Sequence, residues 1–212
     1  MRVRKVVTRS GRGFRGYFPS KKLNRMVHWE SLLERDAILL FEFSSAVAKY
    51  QEQPELIHYV DVTETRQYYP DFEVVLNNGE IIHVEIKPSK QIAIPKIFNK
   101  LSALAHHYKT RQMEYKVLTE KVIRREPLHS NLKLLAKSMQ QTKQLSDGFN
   151  RIQEILSSEV HTVTTLARKV EMSSILQLIA IGELSCNLEI DLMAPDNFLQ
   201  LNKGGDHDSI LF

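Results

Sequence analysis

Two short motifs in the first half of the chain contain side chains that could perform chemistry together. Asp71 follows Tyr69-Pro70, and Glu85 and Lys87 stand two positions apart on a second segment. Carboxylates with open positions beside them bind magnesium or manganese, and a lysine next to such an ion is able to orient water or stabilise charge on a phosphate. The pattern therefore indicates metal-assisted phosphate chemistry, although an exposed hairpin with a surface salt bridge would contain the same residues.

A predicted β-hairpin would bring the two motifs together. Alternating apolar residues predict strands at Phe72–Leu76 and Ile81–Lys87, and Asn77-Asn78-Gly79 between them is a strong hairpin turn signal. Side chains two positions apart project from the same face of a strand, so the glutamate and the lysine of the second motif would both lie near Asp71. Their spacing is that of the PD-(D/E)xK motif, which is shared by a large superfamily of nucleases.

Helices predicted before and after the hairpin complete an α/β unit. A helix over Trp29–Phe43 presents Glu30 and Glu34 one turn apart on one face. In nucleases of this kind a helical glutamate often completes the metal site, although most helical glutamates simply face solvent. After the hairpin the sequence predicts the helix Pro95–Gln112 and the strand Tyr115–Leu118, an order that indicates a crossover onto the same sheet.

After Glu126-Pro127, which marks a predicted domain boundary, the chain is predicted to be smaller and helical. Gly182 ends the last helix, and Leu184–Leu192 would form a small wing strand. The last two helices are spaced like a helix–turn–helix pair, but Ser173–Ile181 has no Lys or Arg for reading base edges, which favours a small helical core. The predicted helices are Asn131–Met139, Phe149–Leu156, Val163–Val170 and Ser173–Ile181.

The positive charge of the chain is concentrated near its N-terminus. The net charge is +4, but residues 1–25 contain nine Lys and Arg residues and no acidic residue, whereas the remainder has 20 Lys and Arg against all 25 acidic residues. Such asymmetry favours contact with a polyanion, usually nucleic acid, although a solvated tail has the same composition. The predicted DNA-binding residues are Arg2, Arg4, Lys5, Arg9, Arg12, Arg15, Lys21, Lys22 and Arg25.

Composition excludes several other classes of protein. The 212 residues are 42% hydrophobic and 25% charged, which excludes wholesale disorder. No apolar run of about 18 residues exists, so we expect no membrane-spanning helix and no membrane partner. The N-terminus lacks the apolar segment of a secretory signal, and Cys186 is the one cysteine, so a reducing, intracellular setting is expected. We divide the sequence into a basic arm (1–25), a nuclease domain (26–125), a helical domain (126–200) and a flexible tail (201–212).

Several segments together resemble TnsA, the endonuclease subunit of heteromeric transposases that also use TnsB and TnsC. The resemblance is strongest over roughly residues 10–120 and fainter beyond them. The short chain and the compact C-terminal part are most similar to TnsA from transposons that have captured a CRISPR targeting complex. The segments that carry the resemblance are Phe18-Pro19-Ser20, Trp29 to Asp36, Tyr50 to Pro54, Tyr69 to Phe72 and Val84 to Pro88.

The resemblance implies a restriction-endonuclease-like α/β N-terminal domain and a small helical, winged-helix-like C-terminal domain. The implied catalytic set is Glu34, Asp71, Glu85 and Lys87. The best known member of the family has glutamine at the position of Glu85, so the carboxylate here should strengthen metal binding. The cofactor would be Mg²⁺ or Mn²⁺, as two ions held by the three carboxylates and the carbonyl group of Ile86. Four histidines are interpreted as ordinary surface or core residues: His28, His83, His106 and His107.

The implied activity is metal-dependent hydrolysis of the 5′ strand at transposon ends during cut-and-paste transposition. The substrate is double-stranded DNA, a TnsB-like transposase would cut the 3′ strand, and a TnsC-like AAA+ ATPase would act with them. The expected location is the bacterial cytoplasm, with nucleoid association during activity. Two alternatives remain open: a stand-alone PD-(D/E)xK nuclease of repair or restriction, and a non-catalytic DNA-binding assembly subunit.

Overall fold

The computed structural model describes residues 14–61, 63–139, 146–202 and 212. These residues belong to two compact units that divide between Arg124 and Arg125, next to the boundary suggested by Glu126-Pro127, and Phe212 belongs to the first unit. Among the described residues, none of the helices has the length and apolar content needed to span a lipid bilayer.

The first unit combines antiparallel hairpins with a mixed sheet and helices. Its strands are β1 (Gly16–Ser20), β2 (Arg25–Trp29), β3 (Val47–Glu52), β4 (Ile57–Asp61), β5 (Glu64–Tyr68), β6 (Phe72–Leu76), β7 (Ile81–Ile86) and β8 (Glu114–Leu118). Its helices are α1 (Leu32–Phe43), α2 (Ser89–Ile92), α3 (Pro95–Thr110) and α4 (Glu120–Ile123).

A four-stranded sheet with the strand order β3-β6-β7-β8 forms the centre of this unit. β6 pairs antiparallel with both β3 and β7, whereas β7 and β8 run parallel. The register places Phe72 opposite Val84, and Gly79 adopts φ 86° in the turn, so the predicted hairpin is present. Because parallel neighbours need a crossover, α3 connects the end of β7 to the start of β8.

Helices α1 and α3 cover opposite faces of the central sheet. Phe72 of β6 packs against Phe41 of α1, with ring centroids 5.3 Å apart. His83 directly precedes Val84, the partner of Phe72, so its side chain projects to the other face, where its ring lies 5.3 Å from that of Tyr108 of α3. The mixed sheet therefore has a helix on each side, as an α/β fold requires.

Helix α1 begins at Leu32 rather than at Trp29. Trp29 instead ends β2, where it pairs with Gly16. The side chain of Ser31 accepts a hydrogen bond from the backbone N–H of Glu34, which is the standard N-cap arrangement and fixes the start of the helix.

Part of the predicted basic arm (1–25) lies in a β-hairpin formed by residues 16–29. β1 pairs antiparallel with β2, and Asn24 closes the turn between them with φ 49°. Phe18 and Val27 are buried, which ties the hairpin to the first unit. Residues 1–13 of the predicted arm lie outside the described residues.

One buried carboxylate holds this hairpin to the end of α1. Glu42 accepts hydrogen bonds from the hydroxyl groups of Ser20 and Tyr50, both at 2.7 Å. It also accepts the backbone N–H groups of Lys21 and Lys22 in the hairpin turn, at 2.8 and 3.0 Å. Its desolvation is therefore offset by four donors from two separate parts of the chain.

The second unit is mainly helical. The helices α5 (Leu128–Met139) and α8 (Met172–Ala180) pack together, and α8 is buried from Ile175 to Ala180 and contains no Lys or Arg. The helices predicted at Val163–Val170 and Ser173–Ile181 correspond to α7 (Val163–Leu166), which is shorter, and to α8, and a buried, uncharged helix is unsuited to reading base edges. The elements are α5 (Leu128–Met139), α6 (Ser146–Ser158), α7 (Val163–Leu166), α8 (Met172–Ala180), β9 (Leu184–Ser185) and β10 (Gln200–Leu201).

The predicted wing strand Leu184–Leu192 is much shorter in the structure. Only β9 pairs as a strand, with β10 as its antiparallel partner. Beyond β9, the side-chain amide of Asn131 donates to the carbonyl groups of Leu188 and Ile190 at 3.0 and 2.7 Å. These carbonyl groups therefore have side-chain donors in place of a strand partner.

We expect Glu42→Ala to lower the free energy of unfolding by about 3 kcal/mol, because it leaves two N–H groups and two hydroxyl groups without their acceptor. Chemical denaturation followed by circular dichroism measures this change. Glu80→Ala, which removes an exposed carboxylate, is the control and should change stability by less than about 0.5 kcal/mol. Equal effects of the two variants would contradict a structural role for Glu42.

Candidate active site

Asp71 is anchored at the end of the central sheet where β6 begins and β7 ends. Its carboxylate Oδ2 accepts the backbone N–H of Ile86 at 2.7 Å. Its own carbonyl oxygen accepts the backbone N–H of Gln53 at 3.0 Å. The first predicted motif is thus bound directly to the second, as the hairpin register requires.

Glu85 is buried on β7 and both of its carboxylate oxygens have partners. Oε2 accepts the hydroxyl group of Tyr68 at 2.7 Å, and Oε1 is paired with Nζ of Lys87 at 2.8 Å. The glutamate and the lysine of the second motif are therefore in direct contact.

The backbone around Lys87 is fixed from two directions. Its N–H donates to the carbonyl group of Leu118 at 3.0 Å, which continues the pairing of β7 with β8. Two residues further on, Ser89 donates its backbone N–H to Glu120 Oε2 at 2.8 Å and its hydroxyl group to Oε1. Both ends of the segment that carries Lys87 are held, so its side chain starts from a defined position.

Glu34 closes the N-terminus of α1. Its carboxylate accepts the backbone N–H of Glu30 at 2.7 Å and the hydroxyl group of Ser31 at 3.0 Å. This is a variant of the capping box, in which a glutamate in the first turn reaches back to a free donor before the helix. Glu34 thus has a structural role in addition to the predicted catalytic one.

Burial and mutual repulsion dominate the electrostatics of these carboxylates. Burial raises the pKa of Asp71 well above its usual value, and the charges of Glu85 and Glu34 raise it further. Burial also raises the pKa of Glu34, and its hydrogen bonds to Glu30 and Ser31 only partly offset this. The structure therefore brings the four predicted catalytic residues into one electrostatic site.

Lys87 supplies the positive charge in contact with this site. Burial alone would lower its pKa, but the charge and hydrogen bond of Glu85, with Asp71 and Glu34, raise the pKa above its usual value. Its ammonium group therefore stays protonated near neutral pH.

The chemistry of the donor set fits a hard divalent cation. One ammonium group contacts Glu85 and interacts electrostatically with Asp71 and Glu34, and carboxylate oxygens are preferred ligands of Mg²⁺. Within the described ranges, no three His, Cys, Asp or Glu side chains form a ready-made metal cluster. The carboxylates are instead held by protein donors, so a bound cation would compete with those contacts.

His83 is a core residue of the sheet. It is buried against Tyr108, and burial lowers the pKa of its imidazole, although Glu73 and Glu55 act in the opposite direction. Its packing against Tyr108 fits the interpretation of His83 as a core residue.

Two of the nine predicted DNA-binding residues are engaged within the protein. Lys22 Nζ donates to three backbone carbonyl groups at 2.6, 2.7 and 3.0 Å, and burial lowers its pKa to about 8. Arg25 forms a two-point ion pair with Glu52 at 2.9 and 2.7 Å. DNA phosphate would have to compete with these internal acceptors for Lys22 and Arg25, whose role in DNA binding stays a prediction. Arg2, Arg4, Lys5, Arg9 and Arg12 lie outside the described residues, whereas Arg15 and Lys21 are described.

Tyr68 is a site residue that the sequence analysis missed. It is the one buried residue of β5, and its hydroxyl group contacts Glu85. Burial and the neighbouring Glu85 raise the pKa of Tyr68 well above its usual value, so the hydroxyl group remains a donor. Its position just before the Tyr69-Pro70-Asp71 motif is the sequence signal that could have predicted it, because that position is close to the start of β6, where Asp71 lies.

A mixed sheet with a crossover helix and joined PD and ExK motifs is the arrangement of the restriction-endonuclease-like class. Residues 44–120 match the family model of the TnsA-like endonuclease N-terminal domain, which is described as Tn7 TnsA-like. The matched segment contains Asp71, Glu85 and Lys87, and Glu34 precedes it. This similarity supports a nuclease function in Tn7-like transposition. No curated protein matches the chain.

We expect Glu34→Gln to abolish DNA cleavage with little loss of stability, because the glutamine oxygen still accepts the Glu30 N–H, although its NH2 group cannot accept from Ser31 and the charge is removed. Glu34→Ala should lose both cleavage and about 1 kcal/mol of stability, because the cap is removed as well. Cleavage of end-labelled transposon-end DNA, with the expected TnsB-like and TnsC-like proteins present, and thermal unfolding measure the two effects. A Glu34→Gln variant that cuts at the wild-type rate would show that Glu34 is only a helix cap.

We expect Asp71→Asn to raise the free energy of unfolding at neutral pH when a chelator is present. A carboxyl group whose pKa is raised by folding loses its stabilising contribution as the pH rises through the folded-state pKa. The advantage of the variant should therefore disappear in acid, where the wild-type carboxyl group is also neutral. Urea denaturation across a pH series measures it, and exposed Glu114→Gln is the control. A variant that is less stable than wild type at neutral pH would contradict this electrostatic account.

Proposed function

We propose that this protein is a metal-dependent DNA endonuclease that cuts the 5′ strand at transposon ends during cut-and-paste transposition. It would act with a TnsB-like transposase and a TnsC-like AAA+ ATPase. The observation that carries the nuclease assignment is the hydrogen bond from the Ile86 N–H to Asp71, beside the ion pair of Lys87 with Glu85. It joins both halves of the motif in one place.

The three carboxylates of Glu34, Asp71 and Glu85, with the carbonyl group of Ile86, would hold Mg²⁺ or Mn²⁺, as two ions. Such an ion, when bound, lowers the pKa of water and stabilises negative charge on a phosphate. Carboxylates that repel one another in partly buried surroundings support this assignment, because a cation between them removes the repulsion.

The chain's own residues would divide the remaining tasks. Lys87 keeps its proton on Nζ, so it would donate a hydrogen bond to a phosphate oxygen and stabilise the charge that develops there. Tyr68 would position Glu85 through its hydroxyl group. The segment from Lys87 to Ser89, which Glu120 holds, would keep the ammonium group in place.

The strand polarity and the partner proteins are proposed from the resemblance to TnsA, and the match over residues 44–120 supports them. The same resemblance suggests a CRISPR-associated transposon and a bacterial cytoplasmic, nucleoid-associated location. Arg15 and Lys21, together with Arg2, Arg4, Lys5, Arg9 and Arg12, would contact DNA phosphates.

Strand-specific cleavage of transposon-end DNA tests the proposal. The full chain is incubated with a TnsB-like transposase and a TnsC-like ATPase, and each DNA strand is labelled separately. We expect 5′-strand cuts that require Mg²⁺ or Mn²⁺. Lys87→Ala should lose these cuts while calorimetric Mn²⁺ binding persists, because lysine is not a metal ligand and its removal frees Glu85 Oε1.

Other outcomes would overturn the proposal in identifiable ways. Efficient cutting of plain duplex by the chain alone would favour a stand-alone repair or restriction nuclease. Full transposition with the Lys87→Ala variant would favour a non-catalytic assembly subunit. Equal loss of Mn²⁺ binding and cleavage in that variant would mean that Lys87 mainly shapes the site.

A further inference from the structure

The segment that follows the catalytic strand is basic and contains no acidic residue. Between Glu85 and Glu114, residues 86–113 contain six Lys and Arg residues and no Asp or Glu. The segment comprises the end of β7, α2 and all of α3. None of the DNA-binding residues predicted from the N-terminus lies in it.

The topology places the beginning of this segment beside the candidate active site. β7 ends at the catalytic residues, and α2 and the first turns of α3 follow at once. Because β8 is parallel to β7, α3 must run back toward the opposite end of the strands, where β8 begins. Lys90 and Lys96 therefore lie at the end of the sheet that carries the active site, whereas Lys109 near the end of α3 lies about 20 Å from Lys96 along the helix.

A direct contact connects α3 to the site. Lys100 Nζ lies over the ring of Tyr68, 4.9 Å from its centroid. The hydroxyl group of the same tyrosine donates to Glu85. Lys100 is thus separated from a catalytic carboxylate by a single side chain.

These lysines remain available to an external anion. Lys90 and Lys96 are exposed, and Lys100 is half-buried. Within residues 14–61, 63–139, 146–202 and 212, none of the three forms an ion pair, and the first turn of α3 has no acidic residue. They differ in this from Lys22 and Arg25, whose charged groups are already bound.

We propose that Lys90, Lys96 and Lys100 form a surface that binds the phosphate backbone of the DNA next to the cleaved bond. The inference rests on the proposed endonuclease function and names the surface that receives its substrate. Three cations on one segment, close to a site whose own carboxylates repel phosphate, would hold the DNA strand where Lys87 meets the scissile phosphate. Lysine binds phosphate as a point charge, so this surface would not select a base sequence.

The experiment compares two double variants with equal loss of charge. Lys90→Gln/Lys96→Gln removes two exposed lysines at the active-site end of the sheet and leaves the contact of Lys100 with Tyr68 intact. Lys49→Gln/Lys109→Gln is the matched control, because both lysines are exposed and lie toward the other end of the strands, away from the active site. Fluorescence anisotropy of the full chain with a labelled duplex is measured over a range of salt concentrations, with a chelator present to prevent cleavage.

We expect the test variant to have a smaller salt dependence than the wild-type protein. Each lost phosphate contact should reduce the slope of log K against log salt by about 0.9, so two should reduce it by about 1.8. From about 50 to about 200 mM salt, the wild-type protein would then lose about twelvefold more affinity than the variant. The effect should be equal for transposon-end and random duplexes. The control should keep the wild-type slope, and Lys100→Gln should lose about 0.9.

Each other result overturns a defined part of the argument. A wild-type slope in the test variant overturns the surface, and the endonuclease proposal stands if cleavage persists. Loss of affinity for end sequences alone also overturns it, because it would mean that the lysines read bases. A changed slope in a protein that never cuts DNA overturns the endonuclease proposal and retains the surface. A wild-type chain that binds no duplex overturns both.

Discussion

The close approach of acidic side chains at one end of the central sheet is the constraint on which the rest of the site depends. Asp71, Glu85 and Glu34 repel one another, and partial burial strengthens that repulsion because little water screens it. Four donors offset this repulsion. Lys87 and Tyr68 contact Glu85 through an ammonium group and a hydroxyl group. The backbone N–H groups of Ile86 and Glu30 donate to Asp71 and Glu34. Burial, and then the charges of Glu85 and Glu34, still raise the pKa of Asp71 despite these donors, and this leaves the site suited to an additional cation.

The surrounding fold supplies these groups from segments that are far apart in the chain. The β6–β7 register brings Asp71 to Ile86, β5 brings Tyr68, and the start of α1 brings Glu34. The end of α1 is in turn attached to the β1–β2 hairpin through Glu42. A site with members on separate rigid elements keeps its geometry only while those elements remain packed, so its stability and its chemistry depend on the same contacts.

Local signals explain which of these elements the sequence could predict. The β6–β7 hairpin follows from apolar alternation and an Asn-Gly turn, and α3 follows from its apolar stripe after Pro95. β5 has no such signal, because four of its residues are exposed and its buried Tyr68 is satisfied by Glu85, 17 positions away. The β1–β2 hairpin lacks a glycine in its turn, where Asn24 takes the positive φ, and its attachment depends on distant Glu42.

Three lysines show why charge along a sequence is an incomplete guide to function. Lys22 donates to three carbonyl groups, Lys87 is paired with Glu85, and Lys96 is exposed. Net charge counts them equally, yet their ammonium groups face a helix end, a buried carboxylate and solvent. A count of cations therefore overestimates the charged groups open to phosphate on the β1–β2 hairpin, where protein acceptors bind Lys22 and Arg25. The deciding factor is whether folding brings an acceptor to the ammonium group, because only an unpaired cation exchanges its counterions for DNA phosphate.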